Sequence, residues 1–495
     1  MRAVELLQAV RYEPAGEKIR FPDREISGVS IDSRDCREGS VFVCIRGSVC
    51  NGSRYAKEAV RHGAKVLVAA KEEQELIGKI LGQFPECEGV LVEDEREAAA
   101  LLAARYEGEP SRSMTMIGVT GTKGKTTTVS MIRKILSEAG IRTGMIGTTG
   151  QFDGKEHLPS EHTTPDAVTL QRSLARMRKN ACRACVMEVS SQALKLQRTK
   201  GICFDTGVFL NLGDDHIGRF EHADKEEYQA CKRKLFLQSR EAVVNADDPA
   251  WKQMLAGTGC PFQTFGIRNG DFRAVKIRTE SFVQGHPGVE FDIGKVHFQI
   301  PAPGIFTVYN ALAAVRVCMQ YGVTPKTAAG SLLDFQVKGR MQFFSIPGGG
   351  EAVIDYAHNA MSLESVLTTL RAYRPARLIT VFGCGGQRAK ERRFQMGEVS
   401  GRLSDLTVIT SDNPRWEAPE AIMDDIETGV RKTDGKYLRI TDRKEAVKQA
   451  VEMAGPGDLV VIAGKGHENT QEIQGVFYRM DEQELVEEAC TQKLL

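Results

Sequence analysis

Net charge is what this chain has least of. Its 66 lysines and arginines face 65 aspartates and glutamates, which leaves a formal charge of +1 over 495 residues. So even a balance supplies no basic field to draw the chain to nucleic acid or an anionic lipid surface, and neither is expected as a partner. Long apolar runs are missing too. No segment could span a bilayer, and the opening MRAVELLQAVRYEPAGEK lacks the apolar stretch of a signal peptide, so a cytoplasmic protein is expected. Of twelve cysteines only Cys182 and Cys185 stand in a CxxC spacing. They have no second pair or nearby histidines for zinc, and no thioredoxin-like context for redox chemistry. Reduced thiols are the expectation. Low-complexity tracts and short tandem repeats are absent.

What is present is an ordinary globular composition, 41% apolar and 26% charged, in a chain too long for one core. Length alone suggests about three domains. The first segment alternates strand-like runs, SVFVCI (40–45) and AKVLVAA (64–70), with helix-like stretches. It ends in the helix candidate EREAAALLAARY (95–106), and the polar stretch after it, with Gly108 and Pro110, reads as a linker. The boundaries expected are 1–110, 111–336 and 337–495. Alternating β and α elements predict an α/β fold with parallel sheets, whose ligands gather beyond the carboxyl ends of the strands. VMEVSSQ and VFLNLGDDH in the middle segment run from an apolar strand into chemistry-bearing residues. AVIDYAH, LITVFGCGGQR, LTVITSDNPR and LVVIAGKGHE do the same in the last.

The sharpest single motif is GVTGTKGKTTT (118–128). It is close to the phosphate-binding pattern G-x-x-x-x-G-K-[ST], except that Val119 stands where the first glycine belongs and Gly118 comes one place early. An apolar β-branched strand precedes it, and an amphipathic stretch with Val129, Ile132, Ile135 and Leu136 on one face follows, with Gly140 at its expected end. Strand, loop and helix are the context in which Gly121, Thr122, Lys123 and Gly124 turn backbone N–H groups toward phosphate, at the positive end of the helix dipole. Lys125 would reach the terminal phosphates and the Thr126 hydroxyl would hold Mg²⁺, with Thr127 in the same turn. Glu188 and His216, each at a strand end, are candidates for metal and phosphate contact; Asp214 and Asp215 read equally well as turn formers. Taken alone, Lys232 in YQACKRKLF reads as a solvated lysine. TTPD (163–166) reads as a turn with Asp166 as an N-cap.

The chain resembles the Mur ligases, ATP-dependent amide-forming enzymes whose loop G-x-T-G-T-x-G-K-[ST] carries the same displaced glycine. IDSR (31–34), TTPD, MEVSSQAL (187–194), YNALAA (309–314), GRM (339–341), DYAH (355–358), FGCGGQR (382–388), SDNPR (411–415) and AGKGHE (463–468) extend the likeness over essentially the whole chain. Within the family it is most similar to enzymes that add the third residue of the peptidoglycan peptide. The resemblance implies a central P-loop parallel-sheet ATPase domain and a C-terminal Rossmann-like domain. It also implies a monomer that uses ATP and Mg²⁺, in which the D-glutamate carboxylate of UDP-N-acetylmuramoyl-L-alanyl-D-glutamate is activated as an acyl phosphate and taken by an amine.

Position by position, it assigns catalysis to Lys125, Glu188, His216 and Lys232, the last as a carbamylated lysine that joins Thr126 and Glu188 as a metal ligand. Asn310 and Arg340 join the loop residues as ATP contacts. Ser33, Thr163, Thr164, Ser190 and Arg198 fall to the UDP-muramoyl-dipeptide. Arg388, Asp412, Asn413, Pro414, Arg415, Gly464 and Glu468 fall to meso-2,6-diaminopimelate, where Arg415 can grip a distal carboxylate with a bidentate fork that lysine could not satisfy. The chain departs from the family pattern at Gln192, Leu196, Thr307, Gln342, LNLGDDHIG and HNAM (358–361). The alternatives are a related Mur-type ligase that adds L-lysine or acts on a different acceptor, a folylpolyglutamate synthetase, and a P-loop switch or motor. A dinucleotide oxidoreductase, suggested by GCGG (383–386), lacks the G-x-G-x-x-G spacing.

Overall fold

The computed structural model describes the chain apart from residues 17–23, 48–49, 214–217, 219–221 and 495. It is an α/β protein of two compact units. One comprises Met1–Arg273 with Tyr309–Ala328, the other Ala274–Val308 with Ala329–Leu495.

The first unit holds two sheets. In the smaller one, Gly28–Ser30, Ser40–Val43, Ala64–Ala70 and Glu88–Val92 run parallel, and Glu13–Pro14 adds an antiparallel edge. Alternation along these strands produces two cores. Val41, Val43, Val66, Val68, Val90 and Val92 face Ala98, Ala99 and Leu102 on one side, while Phe42, Leu67 and Leu91 face Ala56, Val60, Ile77 and Ile80 on the other. The expected helix EREAAALLAARY spans Glu95–Tyr106, started by Asp94, whose carboxylate accepts from the N–H groups of Arg96 and Glu97. Its alanines let it lie close on the sheet.

The stretch after this helix, expected to be a linker, is packed. Pro110 is buried, and Arg178 donates to the carbonyls of Gly108 and Glu107 at 2.8 Å each. The polar composition signalled a break in regular structure, but these backbone acceptors are satisfied by a guanidinium rather than by water.

The nine-stranded sheet has Thr115–Thr120 at its centre, between Phe204–Phe209 and Ala184–Glu188. All three run parallel. Glu188 lies opposite Val119 and Phe209 opposite Thr120, so three strand ends finish at one level, where the order of connection reverses. Such a switch point opens a crevice at the carboxyl edge.

The second unit contains a three-stranded antiparallel sheet, Val275–Val283, His286–Ile293 and Val296–Ile300, and a six-stranded sheet. In the latter Gly350–Asp355, Leu459–Ala463, Leu378–Phe382, Leu406–Ile409 and Tyr437–Arg439 run parallel in that spatial order, with Gln342–Ile346 as an antiparallel edge. Asp355 and Phe382 both pair with Ala463, and Phe382 pairs with Ile409. The four motifs that follow these strands therefore start from one edge. All twelve cysteines are free. Among the described residues no helix is long and apolar enough to cross a membrane.

Candidate active site

The glycine loop joins the strand Thr115–Thr120 to the helix Lys125–Glu138. Gly124, the residue before the helix, has φ +87°, and a β-carbon there would lie 2.4 Å from Asn310 Oδ1. Both the turn and the close approach require glycine. Thr128 Oγ1 donates to Asn310 Oδ1 at 3.2 Å, so Asn310 is packed against the first turn of the helix. Lys125 Nζ donates to the carbonyls of Gly121 at 2.8 Å and Thr122 at 3.1 Å, which folds it over the loop. Thr126 is buried in the first turn beside the half-buried Thr127.

The loop is braced by residues to which the sequence reading assigned no role. Asn211 accepts from Lys123 N at 2.9 Å and donates to Lys123 O at 3.1 Å. Thr122 Oγ1 accepts from Gly213 N at 2.8 Å and lies 3.1 Å from Tyr228 Oη. Paired donors and acceptors of this kind hold a loop open in one conformation, as a phosphate cradle needs.

Lys232 corrects its own bland reading. It is 1% exposed rather than solvated, on the helix Lys225–Leu237, and its Nζ donates to Gly121 O at 2.9 Å over the face of Tyr228. Of the basic residues beside it, Arg233 is half-buried and Lys234 exposed, and only the fold shows that Lys232 faces the loop. His216, Asp214 and Asp215 lie outside the described residues.

Glu188 ends its strand with its carboxylate 1% exposed. Its oxygens accept from Thr148 N at 2.7 Å and Thr148 Oγ1 at 3.2 Å, and among the described residues it has no cationic partner. Thr163 meets the same Thr148 hydroxyl at 3.0 Å. Thr164 Oγ1 donates to Glu188 O at 2.8 Å and accepts from Ser190 N at 3.1 Å. Arg198 Nη1 donates to Thr164 O at 2.7 Å, and burial holds its guanidinium below its ordinary pKa. Thr163, Thr164, Glu188, Ser190 and Arg198, far apart in sequence, thus form one hydrogen-bonded group. Asp166 caps the next helix as expected, accepting from Val168 N and Thr169 N.

Ser33 is buried, and its hydroxyl donates to Glu58 Oε2 at 3.1 Å. It lines a cavity of about 620 Å³ whose wall also includes Arg34, Tyr55, Arg96, Leu196 and Arg198. The same cavity therefore reaches from Ser33 of the small sheet to Arg198 of the Glu188 group. Its volume suits an extended polar ligand.

In the second unit the four strand ends assemble a separate group. Asn413 Nδ2 donates to Glu468 Oε2 at 3.1 Å, and the fully buried Lys465 donates to both Asn413 Oδ1 and Glu468 Oε2 at 3.1 and 2.9 Å. Tyr356 Oη donates to Glu468 Oε1 at 3.4 Å, and Arg340 stacks over the Tyr356 ring at 4.4 Å. Gly464, at φ +116°, would put a β-carbon 2.9 Å from Asp412 Oδ2. Pro414 is buried, and Arg415 Nη1 donates to Gly386 O at 2.6 Å. Arg388 is exposed, its Cγ 3.8 Å from where a Gly385 β-carbon would sit.

Beneath this group lies an ion pair that no motif signalled. Arg443 and Glu482 are wholly buried, 2.5 Å apart. Arg443 also donates to Ser411 O and Ala463 O, while Glu482 accepts from Gly466 N. Together they tie SDNPR to AGKGHE.

Residues 25–107 match the catalytic domain of the Mur ligase family, 119–318 the Mur ligase middle domain, and 339–466 the Mur ligase glutamate ligase domain. The chain is 36% identical over 478 residues to the UDP-N-acetylmuramoyl-L-alanyl-D-glutamate–2,6-diaminopimelate ligase of Clostridium botulinum, with 95% of this chain and 96% of that one covered. The chain belongs to the Mur ligase family. A protein of the same name from Syntrophomonas wolfei is 37% identical with both chains fully covered. A solved structure of a UDP-N-acetylmuramoyl-L-alanyl-D-glutamate–2,6-diaminopimelate ligase matches the whole of both chains with a TM-score of 0.68 and 28% identity. From Val119 onward this Mur ligase's glycine loop lies within the matched middle domain, as does the Glu188 group, and the strand-end residues Arg340, Tyr356, Asn413, Arg415, Gly464 and Lys465 lie within the matched glutamate ligase domain.

Proposed function

We propose that this Mur ligase adds meso-2,6-diaminopimelate to the D-glutamate of UDP-N-acetylmuramoyl-L-alanyl-D-glutamate, in an ATP-dependent, amide-forming step of peptidoglycan precursor synthesis. The observation that carries the reading is the strand-end group in which Asn413, Lys465 and Glu468 are interlocked and Arg415 is held on the Gly386 carbonyl. It offers a fork for a carboxylate and an anion for an ammonium, the two charges at the distal end of a diamino dicarboxylic acid. Full-length relatives named for that activity support it. In this reading 1–110 takes the uridine nucleotide end of the acceptor, 111–336 takes ATP, and 337–495 takes the amino acid.

The chemistry follows from the groups present. A carboxylate is a poor acylating agent, so an oxygen of the D-glutamate γ-carboxylate attacks the γ-phosphorus of ATP and ADP leaves. The amine nitrogen then attacks the carbonyl carbon of the acyl phosphate, loses a proton and expels phosphate. Lys125, the loop N–H groups and the helix N-terminus neutralise phosphate charge, while Asn310 and Arg340 are assigned to ATP. Ser33, Thr163, Thr164, Ser190 and Arg198 hold the acceptor, with Ser33 and Arg198 on the walls of one cavity.

The donors fit Mg²⁺. Glu188 is a buried carboxylate with neutral hydrogen-bond partners among the described residues, and the Thr126 hydroxyl lies in the helix's first turn. Oxygen ligands of this kind are what a hard divalent cation takes, and the ion supplies charge neutralisation at the transferring phosphoryl group. Lys232 is assigned the carbamylated form, which would add an anionic donor for a second ion while its remaining N–H keeps the bond to Gly121 O.

Replacing Arg415 with alanine tests the amino-acid assignment. The expected result is a loss of about 100-fold in kcat/KM for diaminopimelate, with the KM for ATP little changed. A matched loss for both substrates would count against the role.

A further inference from the structure

Residues 411–415 are held along their length by a two-stranded ribbon, Thr470–Ile473 paired with Val476–Arg479. Gln471 Nε2 donates to Asp412 O at 2.6 Å and to Ser411 Oγ at 3.2 Å. Glu472 N donates to Asn413 Oδ1 at 2.9 Å. Arg415 N donates to Glu472 O at 3.1 Å, and Gln474 N donates to Arg415 O at 2.7 Å. Arg415 has φ +52°, a left-handed conformation that a residue with a side chain keeps only where its surroundings over-determine it. The two backbone bonds from the ribbon supply that constraint.

The side chain is constrained as well. Arg415 Nε donates to Glu472 Oε2 at 3.0 Å, Nη1 donates to Gly386 O, and Nη2 makes no hydrogen bond among the described residues. Both partners are about a fifth exposed, 22% and 23%, so the pair itself adds little to stability. Its effect is on orientation, since a guanidinium anchored at Nε can swing only about that bond, and the fork is presented as a rigid plane.

We propose that Glu472 is a positioning residue for amino-acid selection: by anchoring Nε it turns the Nη2 end of Arg415 toward the distal carboxylate of the incoming diamino dicarboxylic acid. The inference rests on the proposed function. Without Glu472 the fork must be ordered by the substrate itself, which weakens binding of the dicarboxylic acid but not of lysine, because lysine has no carboxylate there to use it. Glu472 touches no reacting atom, so its loss acts on KM rather than on the rate of acyl transfer.

The test is steady-state kinetics of wild type, Glu472→Ala and Glu472→Gln with diaminopimelate and with L-lysine, alongside thermal melts. Glu472→Ala is expected to raise the diaminopimelate KM about tenfold and lower the diaminopimelate-to-lysine ratio of kcat/KM by a similar factor. The KM values for ATP and the nucleotide dipeptide should stay within about twofold. Glu472→Gln is expected to recover most of the loss, because its carbonyl oxygen still accepts from Nε. An unchanged or lowered diaminopimelate KM in Glu472→Ala would overturn the inference, as would an equal rise for ATP or a Glu472→Gln variant no better than alanine. If wild type itself fails to prefer diaminopimelate, the proposed function fails first. If wild type prefers it and Glu472→Ala is unaltered, only the inference fails.

Discussion

Lys232 Nζ donates to the carbonyl of Gly121 at 2.9 Å from a side chain that is 1% exposed. Burial this deep on the backbone of the glycine loop supports the proposal that Lys232 serves chemistry rather than solubility.

Lys232→Met is expected to lower ADP-forming turnover by about 1000-fold, a scale typical of losing a group that stabilises phosphoryl charge. Activity of the unaltered protein should fall in CO₂-stripped buffer and return with bicarbonate, and carbon-13 bicarbonate should give one carbamate signal that is absent from the variant. Wild-type turnover in Lys232→Met would remove the residue from the mechanism. Full activity without a carbamate signal would remove the modification alone.

Glu188→Gln keeps an acceptor for Thr148 N at nearly the same shape but discards the charge. Turnover is expected to fall about 100-fold, and the Mg²⁺ concentration for half-maximal rate should rise. Titrating rate against Mg²⁺ at saturating ATP checks this; an unchanged titration would place the ion elsewhere.

Arg198 bonds the Thr164 carbonyl and lines the cavity that Ser33 also lines. Arg198→Ala is expected to raise the KM for the nucleotide dipeptide about tenfold or more, with the diaminopimelate KM unchanged. Initial rates with one substrate varied at a time separate the two. A rise confined to diaminopimelate would contradict the assignment.

His286 Nδ1 lies 2.7 Å from Glu351 Oε1, joining the three-stranded sheet to the six-stranded one within their unit. The hydrogen bond to Glu351 raises the imidazole pKa above 6.5, against the lowering effect of burial. A raised folded-state value means that the pair stabilises fully below the unfolded pKa and loses its effect as pH rises through the folded one. Glu351→Gln is therefore expected to lower the melting temperature at about pH 6 more than at about pH 8.5. An equal change at both would show that the imidazole's charge does not matter.

Local patterns were legible in the sequence, and long-range burial was not. The helix Glu95–Tyr106 and the helix after the glycine loop follow from local sequence patterns whose residues lie next to one another. The strand ends carrying DYAH, GCGGQR, DNPR and GKGHE were visible as apolar runs breaking into polar ones, and the sheet register brings them to one edge. Lys232 misled because it stands in a run of cations, Lys232-Arg233-Lys234, and nothing local shows which side of a helix a loop will cover. The Arg443–Glu482 pair was invisible for the same reason: its partners are 39 residues apart and each alone resembles a surface charge. The stretch after Tyr106 read as a linker from Gly108 and Pro110, but nothing local showed that one arginine from a later helix fastens it.

The central claim is that ATP cleavage is coupled to joining one particular amino acid. It is tested most directly by supplying purified protein with ATP, Mg²⁺ and UDP-N-acetylmuramoyl-L-alanyl-D-glutamate, then adding meso-diaminopimelate, L-lysine or nothing, and measuring ADP and the mass of the nucleotide product. The account predicts ADP release with a product heavier by one diaminopimelate residue, and a rate with lysine about 100-fold lower or less. Equal turnover with lysine, or sustained ADP release with no amino acid, would contradict it.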